Sequence, residues 1–202
     1  MSKVCQYFMA PHSPWAYLGH ARMVELATRH GVQVDLRPFD LGRVFSVSGG
    51  LPLAKRAPQR QAYRLTELAR WSAFLQMPMN VQPAFFPVSP DAAAKLIIAT
   101  RLALGGEVAL NLSHAIMRGL WAEERNIGDE ESLIQIAAGC ELDGRMLLKT
   151  SQTASVQAEY DRNTDDALAA NVFGVPWYVY DGDGYWGQDR LDFLERAFAQ
   201  PA

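Results

Sequence analysis

The stretch PHSPWAYLGHARM, residues 11–23, follows directly on the short apolar run VCQYFMA and decides how the chain begins to fold. The apolar run predicts a buried strand over residues 3–9, because it is short and is closed by a turn that contains proline. Ser13 suits the N-cap of a helix, and Pro14 suits its first position, where a missing N–H costs no hydrogen bond. The predicted helix ends before Gly31, which can adopt the left-handed conformation. Ser13 can be a plain helix cap, a reactive-site hydroxyl, or both.

The rest of the chain has a helical middle and a mixed end. Residues 32–41 alternate apolar and polar side chains and predict a second strand. The segment from Gly42 to Pro58 is rich in glycine, serine and proline and predicts a loop. Spacing and capping residues predict helices that begin after Pro58, after Ser89 and Pro90, near Glu107, after Asp129, after Asp143 and near residue 153. The end predicts strands at 177–180 and 185–186 around a DGDG turn, and then an amphipathic helix.

This order of elements predicts an α/β fold that is split by a helical insertion. The β-α-β start and the β-β-α end each contain too few strands for a complete sheet, so we expect them to share one. Residues 1–42 and 166–202 are then one domain in two pieces, and residues 43–165 form an all-helical insertion domain.

Composition and charge exclude several classes of protein. The chain has 202 residues, a net charge of −3 and a pI near 5.8, so it lacks the positive field that attracts nucleic acid or an anionic membrane. No apolar stretch reaches the ~20 residues of a membrane span, and no secretory signal is visible. We therefore expect a cytoplasmic protein with no nucleic acid or membrane partner.

The cysteines and histidines do not form a recognisable metal or redox motif. Cys5 and Cys140 lie far apart, form no CxxC pair and are predicted to be buried thiols. The four histidines are scattered along the chain, which disfavours a histidine metal site.

The element order, with a Val-Pro pair before the third strand, resembles the thioredoxin-like fold of the DsbA type. In that family the active residue lies at the N-terminus of the first helix, and a cis-proline lies beside it. The resemblance places Ser13 and Pro176 at these two positions. Redox members carry CxxC at the helix start, whereas this chain has SPWA over residues 13–16, so we expect no dithiol-disulfide exchange.

A closer resemblance is to the 2-hydroxychromene-2-carboxylate isomerase family, which is similar to kappa-class glutathione transferases. It rests on SPWAYLGHARM, on LARW at 68–71, on FFP at 85–87, and on the tail TDDALAANVFGVPWYVYDGDGYWGQDRLDFLERA. FGVP followed by WGQDRLDFLE is the most specific part, and the resemblance covers nearly the whole chain.

The resemblance implies glutathione as the cofactor and Ser13 as the catalytic residue. A helix N-terminus stabilises an anion by about 0.3 to 1 kcal/mol, and a hydroxyl hydrogen bond to a charged acceptor contributes about 1.5 to 3 kcal/mol. The hydroxyl is therefore the larger contribution to stabilising a thiolate. The residues that the resemblance assigns to glutathione binding are Ser13, Val175, Pro176, Trp186, Gly187, Gln188 and Asp189. Of these, Asp189 can also be a simple first-turn acid of the last helix.

The substrate-binding residues are predicted less directly. An aromatic carboxylate substrate needs a cation and a flat apolar wall, and the candidates are Arg43, Lys55, Arg56, Arg60, Tyr63 and Phe85. Arg64 lies in the same loop-and-helix segment as the other cations, and Trp71 and Phe86 are further rings that could form the wall. The helical spacing of Arg60, Arg64 and Glu67 also favours a solvated charged face. Members of the family often carry a lysine in the segment that matches Phe45 and Ser46, which this chain lacks. Trp177 also departs from the small polar residue that is usual beside the cis-proline.

These observations favour a glutathione-dependent cis-trans isomerase that acts on a 2-hydroxychromene-2-carboxylate-like substrate. The thiolate adds to a conjugated carbon, the ring opens, a bond rotates, and elimination leaves a product of the trans-o-hydroxybenzylidenepyruvate type. The alternatives are a kappa-like glutathione transferase or peroxidase, and a redox-inactive thioredoxin-like binding protein. The resemblance also implies a homodimer.

Overall fold

The computed structural model describes residues 3–200, and these begin with the strand–helix–strand unit expected from the N-terminal sequence. β1 is Val4–Met9, α1 is Pro14–Arg29 and β2 is Gln33–Pro38. Gly31 has a φ of 63° in the turn between α1 and β2, where a left-handed residue reverses the chain. The sequence prediction of this unit is confirmed.

The middle of the chain is helical, as expected. Its helices are α2 (Leu41–Ser48), α3 (Pro58–Leu75), α4 (Asp91–Leu104), α5 (Gly106–Ala122), α6 (Glu130–Gly139), α7 (Gly144–Ser151) and α8 (Ala154–Ala169). The expectation of a loop from Gly42 is wrong for its first part, where α2 forms. The Asp40 carboxylate explains this helix, because it accepts hydrogen bonds from the N–H groups of Gly42 and Arg43 at 2.8 and 3.1 Å.

The two ends of the chain share one four-stranded sheet. β3 is Trp177–Tyr180, β4 is Asp183–Trp186 and the terminal helix α9 is Leu191–Phe198. The strand order is β2-β1-β3-β4, in which only the β1–β2 pair is parallel. The thioredoxin-like fold class with helices inserted between β2 and β3 is confirmed. The division into domains at residues 42 and 165 stays a prediction.

Side chains of β1 alternate between two apolar clusters. Tyr7 and Met9 lie in the main core with α1, α4 and α5, whereas Phe8 faces a smaller cluster with Phe39, Val44 and Trp177. The smaller cluster also contains residues of α2 and α8. The sheet is therefore covered on both faces, and the C-terminal end of β1 leads directly to Ser13.

Several expectations about chemistry can be compared with residues 3–200. Cys5 is buried, but Cys140 is only half-buried, so the expectation of two buried thiols holds for the first cysteine alone. Burial raises the pKa of both thiols. Over the same residues, no cluster of three or more His, Cys, Asp or Glu side chains is arranged to hold a metal ion. In that range no helix combines the length and the apolar character that a membrane crossing requires.

Candidate active site

Ser13 caps α1, and its hydroxyl group can still donate a hydrogen bond. Its Oγ accepts a hydrogen bond from the Ala16 N–H at 3.2 Å, and its own N–H donates to the Ala10 carbonyl at 2.9 Å. The residue is buried, and within residues 3–200 its hydroxyl donates to no protein group. The first turn of α1 contains no acidic side chain. The positive end of this helix and the hydroxyl proton are therefore both available to an anion.

The Val175–Pro176 peptide bond is cis, as the sequence resemblance implied. β1 and β3 pair from Gln6 opposite Val179 to Phe8 opposite Trp177, so Pro176 lies at the end of the sheet where β1 leads into Ser13. Val175 is buried, yet none of the hydrogen bonds of residues 3–200 uses its peptide N–H or C=O. Since buried peptide groups are nearly always paired, the Val175 peptide is a candidate for a hydrogen bond to a ligand backbone.

The segment after β4 is fixed against α1. The Gly187 N–H donates to the Pro176 carbonyl at 2.9 Å, which ties this segment to the cis-proline. Arg22 donates to the Oε1 of Gln188 at 3.0 Å and to its carbonyl at 3.3 Å. A Cβ at position 19 would lie 2.8 Å from the Gln188 Cβ, so Gly19 permits this close approach. Gln188 therefore acts mainly as the link between α1 and the 3-10 turn Gln188–Arg190.

Trp186 and Asp189 lie on the exposed side of the same segment. The Trp186 ring is half-exposed and packs edge-on against Phe173 at 4.8 Å between centroids. The Asp189 carboxylate is partly exposed and pairs with its neighbour Arg190 at 2.7 Å. Both side chains therefore remain accessible to a ligand bound beside Pro176.

Trp177 occupies the position where a small polar residue is usual in the resembling family. Its ring is buried in the smaller apolar cluster and packs edge-on against Phe173 at 4.8 Å. A Cβ at position 184 would lie 2.7 Å from this ring, so Gly184 on the paired strand makes room for it. The large Trp177 ring is thus accommodated by its packing in the smaller apolar cluster and by the space at Gly184.

The predicted substrate-binding residues occupy different environments. Arg43 is paired with Asp165 at 2.9 Å, and the Nε of Arg56 donates to the Leu51 carbonyl at 2.8 Å. The other four are exposed: Lys55, Arg60, Tyr63 and Phe85. Their assignment to substrate binding stays a prediction.

A group of residues lies beside Ser13, and it includes two that the sequence had already suggested, Arg64 as a cation and Phe86 as part of an aromatic wall. The ring of His12 stacks on that of Phe86 at 6.5 Å between centroids, and Phe86 contacts the buried Trp121 at 5.0 Å. The Arg64 Cζ lies 5.1 Å from the Phe86 ring centroid and 5.7 Å from that of Trp121. The expectation of a solvated charged face is wrong for Arg64, because α3 turns this side chain onto the two rings. The FFP motif pointed to this segment but not to the pairing with Arg64.

Burial sets the charge of two members of this group. It lowers the pKa of His12 to about 4, so the imidazole is neutral near pH 7. The same cause, with a contribution from the nearby Arg56 guanidinium, lowers the pKa of Arg64 to about 10, which leaves Arg64 charged. The group is therefore a cation on an otherwise uncharged aromatic surface.

The fold and this site define the class of protein. A family model described as the DSBA-like thioredoxin domain matches residues 6–199, and the chain belongs to that family. The cis bond before Pro176 agrees with this membership.

Comparisons with individual proteins are more specific. The chain is 28% identical to a 2-hydroxychromene-2-carboxylate isomerase from Sphingobium xenophagum, with 96% of this chain and 97% of that protein covered. It is 25% identical to a protein from Caenorhabditis elegans named glutathione S-transferase kappa 2, with coverage of 98% and 95%. Its fold matches the solved structure of a 2-hydroxychromene-2-carboxylate isomerase with a TM-score of 0.82 and 22% identity, covering 96% and 93% of the two chains. The resemblance inferred from the sequence is confirmed.

Proposed function

We propose that this protein is a glutathione-dependent cis-trans isomerase that acts on a 2-hydroxychromene-2-carboxylate-like substrate and forms a trans-o-hydroxybenzylidenepyruvate-type product. The observation that carries the proposal is that two polar groups at this end of the sheet make no hydrogen bond to the protein. The Ser13 hydroxyl donates to no protein acceptor within residues 3–200, and the peptide of Val175, at the end of the sheet where β1 leads to Ser13, makes no hydrogen bond within the same residues. The names of the relatives from Sphingobium and Caenorhabditis support an isomerase or a related glutathione enzyme.

The residues proposed to hold glutathione offer groups that match its polar atoms. The Val175 N–H and C=O can pair with the cysteinyl backbone of the tripeptide, in the manner of a very short added strand. Ser13 would then donate its hydroxyl hydrogen bond to the sulfur of the tripeptide. The γ-glutamyl end is assigned to Trp186, Gly187, Gln188 and Asp189, whose backbone and carboxylate suit a zwitterionic group.

Ser13 would stabilise the charged form of the glutathione sulfur. A free thiol has a pKa of about 8.5, and bringing it near 7 requires roughly 2 kcal/mol at about 1.36 kcal/mol per pKa unit. The helix end contributes about 0.3 to 1 kcal/mol and a hydroxyl hydrogen bond to an anion about 1.5 to 3 kcal/mol. Together they are sufficient, and the hydroxyl dominates.

Glutathione would supply a nucleophilic sulfur whose reversible addition to a conjugated carbon lets a ring-opened double bond rotate as a single bond. The chain's own contribution is to hold that sulfur as an anion and to fix its direction through the Val175 peptide. Arg43, Lys55, Arg56, Arg60, Tyr63 and Phe85 remain the residues that the sequence proposes for the aromatic carboxylate. A homodimer in the cytoplasm is part of the same proposal.

Two other functions use part of the same site. A kappa-like transferase or peroxidase is favoured by the kappa-named relative and would consume glutathione, whereas an isomerase returns it. A redox-inactive binding protein would show no glutathione affinity. The stoichiometry of glutathione and calorimetry therefore separate the three.

The deciding experiment is calorimetric titration of the protein with glutathione, followed by turnover of 2-hydroxychromene-2-carboxylate monitored by absorbance. We expect saturable binding and product formation at constant glutathione. S-methyl glutathione, which lacks the ionisable thiol, serves as the control and should support no turnover. Absence of glutathione binding contradicts the proposal, and loss of one glutathione per product favours the transferase.

A further inference from the structure

Arg64 differs from the other half-buried arginines of the chain. Arg37 is paired with Asp35 and Asp166, and Arg101 is paired with Glu159. Arg64 forms no ion pair and no hydrogen bond within residues 3–200, although α3 holds it against Phe86 and Trp121. Its nitrogen atoms are not among the buried unpaired ones of the described residues, so the half-buried guanidinium is open to an anionic ligand that would pair with it.

The surroundings of Arg64 do not supply that partner. Its nearest acid on α3, Glu67, is already paired with Arg70 at 2.7 Å. The charged neighbour that acts on Arg64 is Arg56, which is itself close to Arg60, and both pairs are repulsive. The charge that acts on Arg64 is therefore positive, and the combined field of the two guanidinium groups favours a bound anion.

The shape of the surroundings specifies the rest of the ligand. The guanidinium is held by two aromatic rings, which keeps its N–H groups preorganised for a bidentate oxygen acceptor. Next to it lie the rings of Phe86 and His12, and His12 directly precedes Ser13. A flat ring can pack on these side chains while its acid group meets Arg64, and its reactive carbon then lies toward the start of α1.

We propose that Arg64, on its support of Phe86 and Trp121 and beside His12, is the binding site for the carboxylate of a planar aromatic acid. The assignment rests on the proposed function, since it identifies the substrate cation of that site. It replaces the lysine that the resembling family often carries near position 45 with an arginine from α3. No bond is made or broken by this group, which acts by binding and orientation.

The test measures binding of trans-cinnamate and its neutral amide, trans-cinnamamide, by calorimetry in the absence of glutathione. The wild-type chain should bind the acid at least about 10-fold more tightly than the amide, as a charge-assisted hydrogen bond implies. Arg64→Gln should remove this preference. Arg70→Gln is the matched control, because Arg70 is an exposed arginine on the same helix, and it should retain the preference.

A second measurement uses the wild-type chain and avoids any folding defect of the variant. Phenylglyoxal modifies accessible arginines, and mass spectrometry locates the modified residues. Cinnamate should protect Arg64 and leave Arg70 reactive. Equal binding of cinnamate by wild type and Arg64→Gln, or lack of protection at Arg64, overturns the assignment. Arg64-dependent binding in a chain that fails to bind glutathione supports the assignment and contradicts the proposed function.

Discussion

A Ser-Pro pair stands at the N-terminus of two helices, α1 and α4. The two helix ends differ in whether the chain itself supplies a negative charge to the positive end of the helix. At α1, Ser13 is buried and caps the Ala16 N–H at 3.2 Å, and the first turn contains no acid. At α4, Ser89 is exposed and contacts the Asp91 N–H at 3.4 Å, and the helix begins one residue after the proline.

The first residue of α4 is itself an acid, so the positive end of that helix is met by its own chain. The Asp91 carboxylate also accepts a hydrogen bond from the Tyr160 hydroxyl at 3.1 Å. At α1 no acidic residue of the first turn faces the positive end of the helix, and the Val175 peptide that precedes the cis-proline makes no hydrogen bond within residues 3–200. A shared dipeptide therefore gives a structural cap in one place and a candidate anion site in the other, and the surroundings make the difference.

Ser13→Ala should produce the largest effect and sharpen this comparison. Removing the hydroxyl removes a hydrogen bond to the sulfur anion worth about 1.5 to 3 kcal/mol, so kcat/KM should fall roughly 10- to 150-fold. The measurement is the rate of 2-hydroxychromene-2-carboxylate isomerisation at fixed glutathione. Ser89→Ala should retain the wild-type rate.

The same two variants provide the folding control. Ser13→Ala should lose about 1 kcal/mol in the free energy of unfolding, because one cap is lost, and Ser89→Ala should lose less. Urea denaturation measures both. Wild-type turnover in a folded Ser13→Ala protein would mean that the hydroxyl is only a cap.

Acid should lower the free energy of unfolding of the protein through His20, a buried histidine of α1 that has no counterpart in α4. His20 is buried in α1, with its Nε2 3.0 Å from the Leu110 carbonyl, and burial lowers its pKa from 6.5 to about 4. Because the unfolded chain binds the proton more readily, stability is full above about pH 6.5 and falls as the pH approaches 4. Between pH 7 and 5.5 the loss from His20 is about 1 kcal/mol.

Urea denaturation at the two pH values measures this loss. His20→Gln, which keeps a polar side chain but does not titrate, should show a correspondingly smaller dependence on pH. An unchanged dependence in this variant would assign the acid sensitivity to other groups, such as His12, whose pKa is lowered in the same direction.

Asp91→Asn should have the smallest effect. Asparagine retains an acceptor for Tyr160 but removes the negative charge from the first turn of α4, which costs roughly 0.3 to 1 kcal/mol of stability. Thermal denaturation measures the change, and glutathione affinity should stay at the wild-type value. A change in that affinity would contradict the separation of the two helix ends.

The sequence by itself determined the local part of this structure. The apolar run before Ser13, the Ser-Pro pair and Gly31 specify a strand, a helix start and a helix end, because each signal acts over a few residues. The same holds for most of the helical middle. The prediction from local sequence fails for α2, which forms because Asp40 caps its N-terminus although the segment is rich in glycine and serine. The tail motif was specific enough to indicate the cis bond at Pro176 and the family.

Only the tertiary structure decided which of these groups are left without partners. The unpaired peptide of Val175 depends on how β3 meets the end of β1, and the free charge of Arg64 depends on Phe86 and Trp121 from other parts of the chain. Hydrogen-bond pairing and burial are properties of neighbours in space, and those neighbours are distant in sequence. A residue type and its spacing can therefore nominate a functional group, but only packing shows whether that group is free to bind.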